Sequence, residues 1–123
     1  MAITRLRLAY HVHDDVKGLG AFYEQALGFQ RRFQDADRWS EMQVGDARFA
    51  IASRAEAPEG CRGPVLVFES DDLDADADVI RRHGGEVVSR RDMGAHGRTL
   101  TARDPSGTVF QLFCRAPAST NRS

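Results

Sequence analysis

The chain has 123 residues, with 17 Lys and Arg against 18 Asp and Glu, a formal charge of -1 and a pI near 6.4. That balance argues against the basic face a nucleic-acid binder needs, and no apolar run approaches the ~20 residues of a membrane-spanning helix. The length suits one domain with a core of its own.

Residues 3–13 (ITRLRLAYHVH) alternate, with Leu6, Leu8, Tyr10 and Val12 on one face and Arg5, Arg7, Ala9 and His11 on the other. This is the period of a strand. The same stretch lacks the apolar core of a signal peptide, so the expected location is the cytoplasm. Asp14-Asp15 supplies a helix cap, Val16, Leu19, Phe22, Tyr23, Ala26 and Leu27 recur at helical spacing, and Gly28 stops the helix. Strands are predicted over 29–34, 38–44 and 47–53, the last two joined by a tight turn at Gly45-Asp46. Residues 54–63 carry Pro58, Gly60 and Gly63 without periodicity and read as a linker.

The same order then begins again. VLVFES (65–70) is a strand, Asp71-Asp72 caps a helix from Leu73 through His83, and Gly84-Gly85 ends it. Strands follow at 86–91, 98–103 and 108–114, the last two joined by DPSG (104–107). The acidic run Asp71, Asp72, Asp74, Asp76 and Asp78 reads as a cap plus a solvated helix face, because a calcium loop's Gly turn and terminal Glu are missing. The pattern is βαβββ twice, about sixty residues apart. The fold class is therefore α+β, two tandem βαβββ units with sheets curled around a central cavity and helices outside. The expected organisation is a single domain, 1–123, with repeat 1 at 3–53, the linker at 54–63, repeat 2 at 64–115 and a tail at 116–123. Cys61 and Cys114 read as two reduced thiols, too few for a disulfide framework.

AFYEQALGF (21–29), DDLDADADVIRRHGGEVV (71–88) and DPSGTVFQLF (104–113) resemble the signature segments of the vicinal oxygen chelate superfamily, which includes glyoxalase, extradiol dioxygenases, fosfomycin-resistance transferases and bleomycin-resistance proteins. The resemblance implies a hollow that in catalytic branches holds a divalent metal on a His of the first strand, a His or Glu opening the second repeat, and a Glu on the last strand. Counting from Phe22-Tyr23, Asp72 and Asp104-Pro105 places Leu8 (or, with a slip of one, Arg7), Val65 and Gln111 at those positions. Apolar side chains do not coordinate such cations and a lone Gln carbonyl is a poor anchor, so the resemblance points to a metal-free branch near the bleomycin-resistance proteins, with no cofactor. A rival metal set is His11 and His13 with Glu41 or Glu69; its plainer reading is two hydrated rings at a strand end.

Trp39, Glu41 and Gln43 share one face of RWSEMQV, a tryptophan beside a carboxylate and an amide, which suits a pocket wall for a planar ligand. On the last strand an inward Gln111 carries Val109 and Phe113 with it and sends Phe110 and Leu112 to a helix. Thr99, Thr101 and Arg103 form the matching face of the strand before it, Arg103 meeting a ligand oxygen or pairing with Asp104 or Glu41. His96 lies in DMGAHG, a loop resembling one that edges the superfamily's cavity. The candidate ligand-binding residues are Trp39, Glu41, Gln43, His96, Thr101, Arg103, Gln111 and Phe113, with no catalytic and no metal residues. The expected function is binding of a small aromatic or planar drug or secondary metabolite by sequestration. The alternative is an isomerase, cyclase or lyase of the same fold, metal-independent or with a displaced metal, with Glu41 as general base. The resemblance also implies a homodimer with a hollow completed by the partner subunit.

Overall fold

The computed structural model describes residues 3–59, 61 and 64–116. In chain order these form β1 (Ile3–Val12), α1 (Val16–Leu27), β2 (Gln30–Asp35), β3 (Trp39–Val44), β4 (Ala47–Ala52), β5 (Val65–Ser70), α2 (Leu73–Arg82), β6 (Glu86–Asp92), β7 (Arg98–Arg103) and β8 (Val109–Cys114), with single 3-10 turns at Arg54–Glu56 and Gly94–His96. The architecture is α+β. Contacts divide the chain into two compact units, one of Leu8–Leu66 and one of the residues from Val67 onward together with those up to Arg7. The predicted tail lies outside the described residues from 117 on, as do linker residues 60, 62 and 63.

In the first unit the strands lie in the order β2-β3-β4-β1. β1 runs parallel to β4, and β2, β3 and β4 form an antiparallel meander. The helix begins where Asp15 Oδ1 accepts the Gly18 N–H at 2.9 Å and ends at Gly28 in the left-handed region. Its inner face meets Met42 and Ile51, both fully buried with Val16, and Leu19, Tyr23, Phe29 and Phe49 close the cluster. Tyr23 stacks on Phe29 and meets Phe49 edge-on, with ring centroids 5.5 and 5.0 Å apart. Full burial of such aliphatic side chains stabilises by about 1.5–3 kcal/mol each, enough to set which side of β3 the helix covers.

The second unit repeats the plan in the order β5-β8-β7-β6, with β5 parallel to β8. Asp72 Oδ1 caps α2 by accepting the Ala75 N–H at 3.0 Å. Asp74 and Asp76 lie in the first turn and Arg81 and Arg82 in the last, the favourable arrangement for the helix dipole. The acidic run is absorbed locally: Asp76 accepts the Ser70 hydroxyl at 2.6 Å, and Asp74 and Asp78 pair with Arg90 and Arg81. Leu73 and Ala77 pack on Leu100, Ala102, Leu112 and Cys114, with Phe68, Ile80, Val87 and Phe110 around them. Both cysteines are free thiols.

Burial differs along β1: Leu6 is 55% exposed while Leu8 is 5% exposed, and Arg5 and Arg7 share the other face, as the alternation requires. From Leu8 on, the strand is registered against β4, Tyr10 beside Ala50 and His11 beside Ile51. Before that point Arg5 and Arg7 belong to the second unit, and both reach Glu69 on β5.

Candidate functional site

In each unit the helix covers one face of the sheet, and the candidate residues stand on the other. On β3 the buried Ser40 and Met42 point to α1, so Trp39, Glu41 and Gln43 face away from it. The register carries this helix-free face across the sheet: Trp39 lies beside Ala52, Glu41 beside Ala50 and Gln43 beside Arg48, with Tyr10 next to Ala50 on the far side. Both alanines are fully buried between these larger neighbours. Trp39 donates its indole N–H to Glu41 Oε1 at 3.3 Å, and Arg48 Nη1 meets Glu41 Oε2 at 3.1 Å, so both carboxylate oxygens are engaged. Tyr10 lies against Trp39 with ring centroids 5.3 Å apart at 59°. Gln43 accepts from Arg32 Nη1 at 2.7 Å and donates to the Gly45 carbonyl at 3.0 Å. Burial pushes the Tyr10 phenol well above its ordinary range, and the charges of Cys61 and Glu56 add to the shift.

On the second unit's helix-free face, the register sets Val109, Gln111 and Phe113 beside Arg103, Thr101 and Thr99. Gln111 Nε2 donates to Thr101 Oγ1 at 3.0 Å, while Phe110 and Leu112 pack on the α2 side as the strand's parity requires. Arg103 pairs with Glu86 at 3.7 Å, and not with Asp104 or Glu41 as expected, because β6 lays Glu86 directly beside it. Arg7 sits with its guanidinium carbon 4.0 Å from the centre of the Phe113 ring, a cation–π contact. Its Nη1 also reaches Glu69 Oε1 at 3.2 Å. Arg5 and Arg115 join the same carboxylate, at 3.0 Å through Arg5 Nη2 and 2.7 Å through Arg115 Nε. Burial alone pushes the Glu69 carboxyl up, but the hydrogen bond from Arg5, the charges of Arg115 and Arg5 and the hydrogen bond from Arg7 together hold it below the usual range.

The remaining candidates are dispersed. His96 is exposed on the 3-10 turn after β6. His11 lies on the α1 side of its strand beside Ile51, and His13 Nδ1 accepts the Asp15 N–H at 3.1 Å as part of the helix entry. Glu41 stands on the opposite face of that sheet and Glu69 is taken by three arginines, so the rival metal set does not assemble. Among the described residues no group of three or more His, Cys, Asp or Glu is placed to hold a metal. The donor chemistry at the counted ligand positions agrees: Leu8 and Val65 are buried apolar side chains and Gln111 spends its amide on Thr101. These residues do not fit a divalent cation.

Residues 12–112 match the model of the Glyoxalase/Bleomycin resistance protein/Dioxygenase superfamily. The chain belongs to this superfamily. A protein of Mycolicibacterium smegmatis described as uncharacterized is 29% identical over 93 residues, covering 75% of this chain and 78% of its own length. Among solved structures, methylmalonyl-CoA epimerase from Mycobacterium tuberculosis superposes with a TM-score of 0.69 at 21% identity, covering 94% of this chain and 91% of that one. Homoprotocatechuate 2,3-dioxygenase from Brevibacterium fuscum reaches 0.70 at 19% identity over 94% of this chain and 37% of the larger enzyme. At such identities these neighbours establish the superfamily's fold and leave the chemistry to the residues of each member.

Of the residues on the two faces, Tyr10 and Arg48 were not among the sequence candidates, and Arg7 and Glu69 were considered only as metal-ligand positions, not as a pair. Tyr10 and Arg48 carry a readable signal. Tyr10 shares the parity of Leu8, and the two-residue turn at Gly45-Asp46 sets Arg48 opposite Gln43, on the face of Glu41. Arg7 and Glu69 carry none, because they meet across 62 residues of chain.

Proposed function

We propose that the chain is a small-molecule binding protein that holds a planar, aromatic drug or secondary metabolite against Trp39 and acts by sequestration, without a metal. The observation that carries this reading is the helix-free face of the first unit. There a half-buried indole, a carboxylate and a guanidinium lie together, backed by the buried phenol of Tyr10 and two buried alanines, an apolar setting with a few oriented polar groups. Glu41 fixes the indole by its N–H, and Arg48 fixes Glu41, so Trp39 is presented in one orientation. In the second unit Thr101, Gln111, Phe113 and Arg103 offer hydroxyl, amide, ring and cation on its own helix-free face.

Catalysis is the second reading, since the superfamily's solved members include an epimerase and a dioxygenase. Glu41 is its natural general base. The engagement of both Glu41 oxygens by Trp39 and Arg48 supports an anchoring role instead.

Titration of a natural-product panel, followed by Trp39 fluorescence, tests the proposal. A saturable change in the wild type, with calorimetric binding of the same compound weakened in Trp39→Ala, the compound recovered unaltered and no stoichiometric metal in untagged protein, is the expected result. Turnover abolished by Glu41→Gln, or stoichiometric metal, overturns it.

A further inference from the structure

We propose that the arginine cluster around Glu69 is a receptor for an anionic oxygen group, carboxylate or phosphoryl, so that the ligand bound by this protein is an anion; this rests on the small-molecule reading above and narrows its ligand class. Three guanidinium groups converge on one carboxylate. Arg5 reaches Glu69 Oε1 with Nε at 3.1 Å and Nη2 at 3.0 Å, Arg7 reaches the same oxygen at 3.2 Å, and Arg115 Nε holds Oε2 at 2.7 Å. Among the described residues no second carboxylate is paired with any of the three. One negative charge against three positive leaves two in excess, in a chain whose net charge is -1.

The cluster has the makings of a receptor as well as a structural tie. The Glu69 and Arg7 side chains are 12% and 22% exposed, where charge-assisted hydrogen bonds are screened less than at an open surface. A guanidinium has five N–H donors in a planar fork. Glu69 takes two from Arg5, one from Arg7 and one from Arg115. The Arg115 and Arg5 side chains are 64% and 52% exposed, so a ligand oxygen has access to the donors left over. Stacking on Phe113 fixes the plane of Arg7, and that ring shares its face with Gln111 and Thr101. An aromatic carboxylate or aryl phosphate therefore finds a ring, an amide and unused guanidinium donors on one face of the second unit. A purely structural tie between β1 and β5 has no use for the third arginine.

Calorimetric titration with benzoate, phenyl phosphate and benzamide tests this. The two anions are expected to bind about tenfold or more tighter than the neutral amide, the tighter of the two identifying carboxylate or phosphoryl as the natural group. Arg115→Gln, at an exposed position, should weaken the anions several-fold and leave benzamide unchanged. Glu69→Gln should strengthen them, since it releases the donors Glu69 now occupies. Equal affinity for benzoate, phenyl phosphate and benzamide, or anion affinity unchanged in Arg115→Gln, overturns the receptor; so does Glu69→Gln that folds and fails to bind anions more tightly. If Glu69→Gln does not fold, Arg5→Gln takes its place with the same expected weakening as Arg115→Gln, and unchanged anion affinity there overturns the receptor too. Trp39 fluorescence separates the two claims. Equal affinity for benzoate, phenyl phosphate and benzamide, with a Trp39 response to planar compounds retained, removes the anion receptor and leaves the binding function. Anions bound through Arg115 with Trp39 silent does the reverse.

Discussion

Tyr10 and Trp39 meet on the helix-free face of the first unit with ring planes at 59°, and the phenol is buried to 2% exposure. The contact ties the first strand of the unit to the strand that carries the candidate site. Because burial, then Cys61 and Glu56, raise the phenol above its unfolded range of about 10, its contribution to stability has a definite sign. The folded state keeps the proton when the unfolded state has lost it. The contribution is complete below about pH 10 and falls as pH rises toward the folded value, by about 1.4 kcal/mol at about pH 11. Urea denaturation of wild type and Tyr10→Phe at about pH 9 and about pH 11 measures it: the difference between the two proteins should shrink by that amount at the higher pH. A constant difference would show that the phenol titrates alike in both states.

Most of the fold is legible in the sequence because its signals are local. β5 and β7 have the predicted limits, both helices begin at the second Asp of an Asp-Asp pair, and the parity of β3 and β8 sorts Met42 from Glu41 and Leu112 from Gln111. Parity needs only period-2 geometry and one covered face. What sequence reading missed is non-local. The meeting of Arg5, Arg7 and Arg115 on Glu69 depends on how distant strands are laid together. Arg103 shows the same limit on a smaller scale. Its face was readable, but its partner Glu86 required the β6–β7 register.

We expect the chain to form a homodimer. β2 and β6 each pair on one side within their units, and both are bulged, between Arg31 and Phe33 and between Val87 and Ser89. Bulges and flanking arginines discourage strand-to-strand addition, so a second copy would be held by the apolar side chains these strands leave exposed, Phe33 and Val88. Light scattering at micromolar concentration should give about twice the 13.7 kDa chain mass, and Phe33→Asp with Val88→Asp should return it to one. A monomer mass for the wild type at that concentration would count against the dimer.

Gly97 and Gly94 bracket the exposed turn that carries His96, and they predict losses of different size for the same substitution. Both have positive φ, +97° at Gly97 and +62° at Gly94, so alanine strains the backbone at either site by about 1 kcal/mol or more. At Gly94 an added Cβ meets nothing within 4 Å, and the cost should stay near that value. At Gly97 it would lie 2.6 Å from the Cys114 carbonyl oxygen and 2.8 Å from Phe113 Cζ. The oxygen belongs to the β8 backbone and cannot yield without disturbing the β7–β8 ladder, where Arg98 is registered with Cys114. The ring cannot move without leaving Arg7, whose guanidinium rests on it. Gly97→Ala should therefore cost about 3 kcal/mol or more, against about 1 for Gly94→Ala, in parallel denaturant titrations. It should also weaken benzoate binding, because Phe113 is the platform that orients Arg7. Equal stability losses at the two glycines would mean that β8 yields at Cys114, and the close packing of this turn on Phe113 would have to be given up.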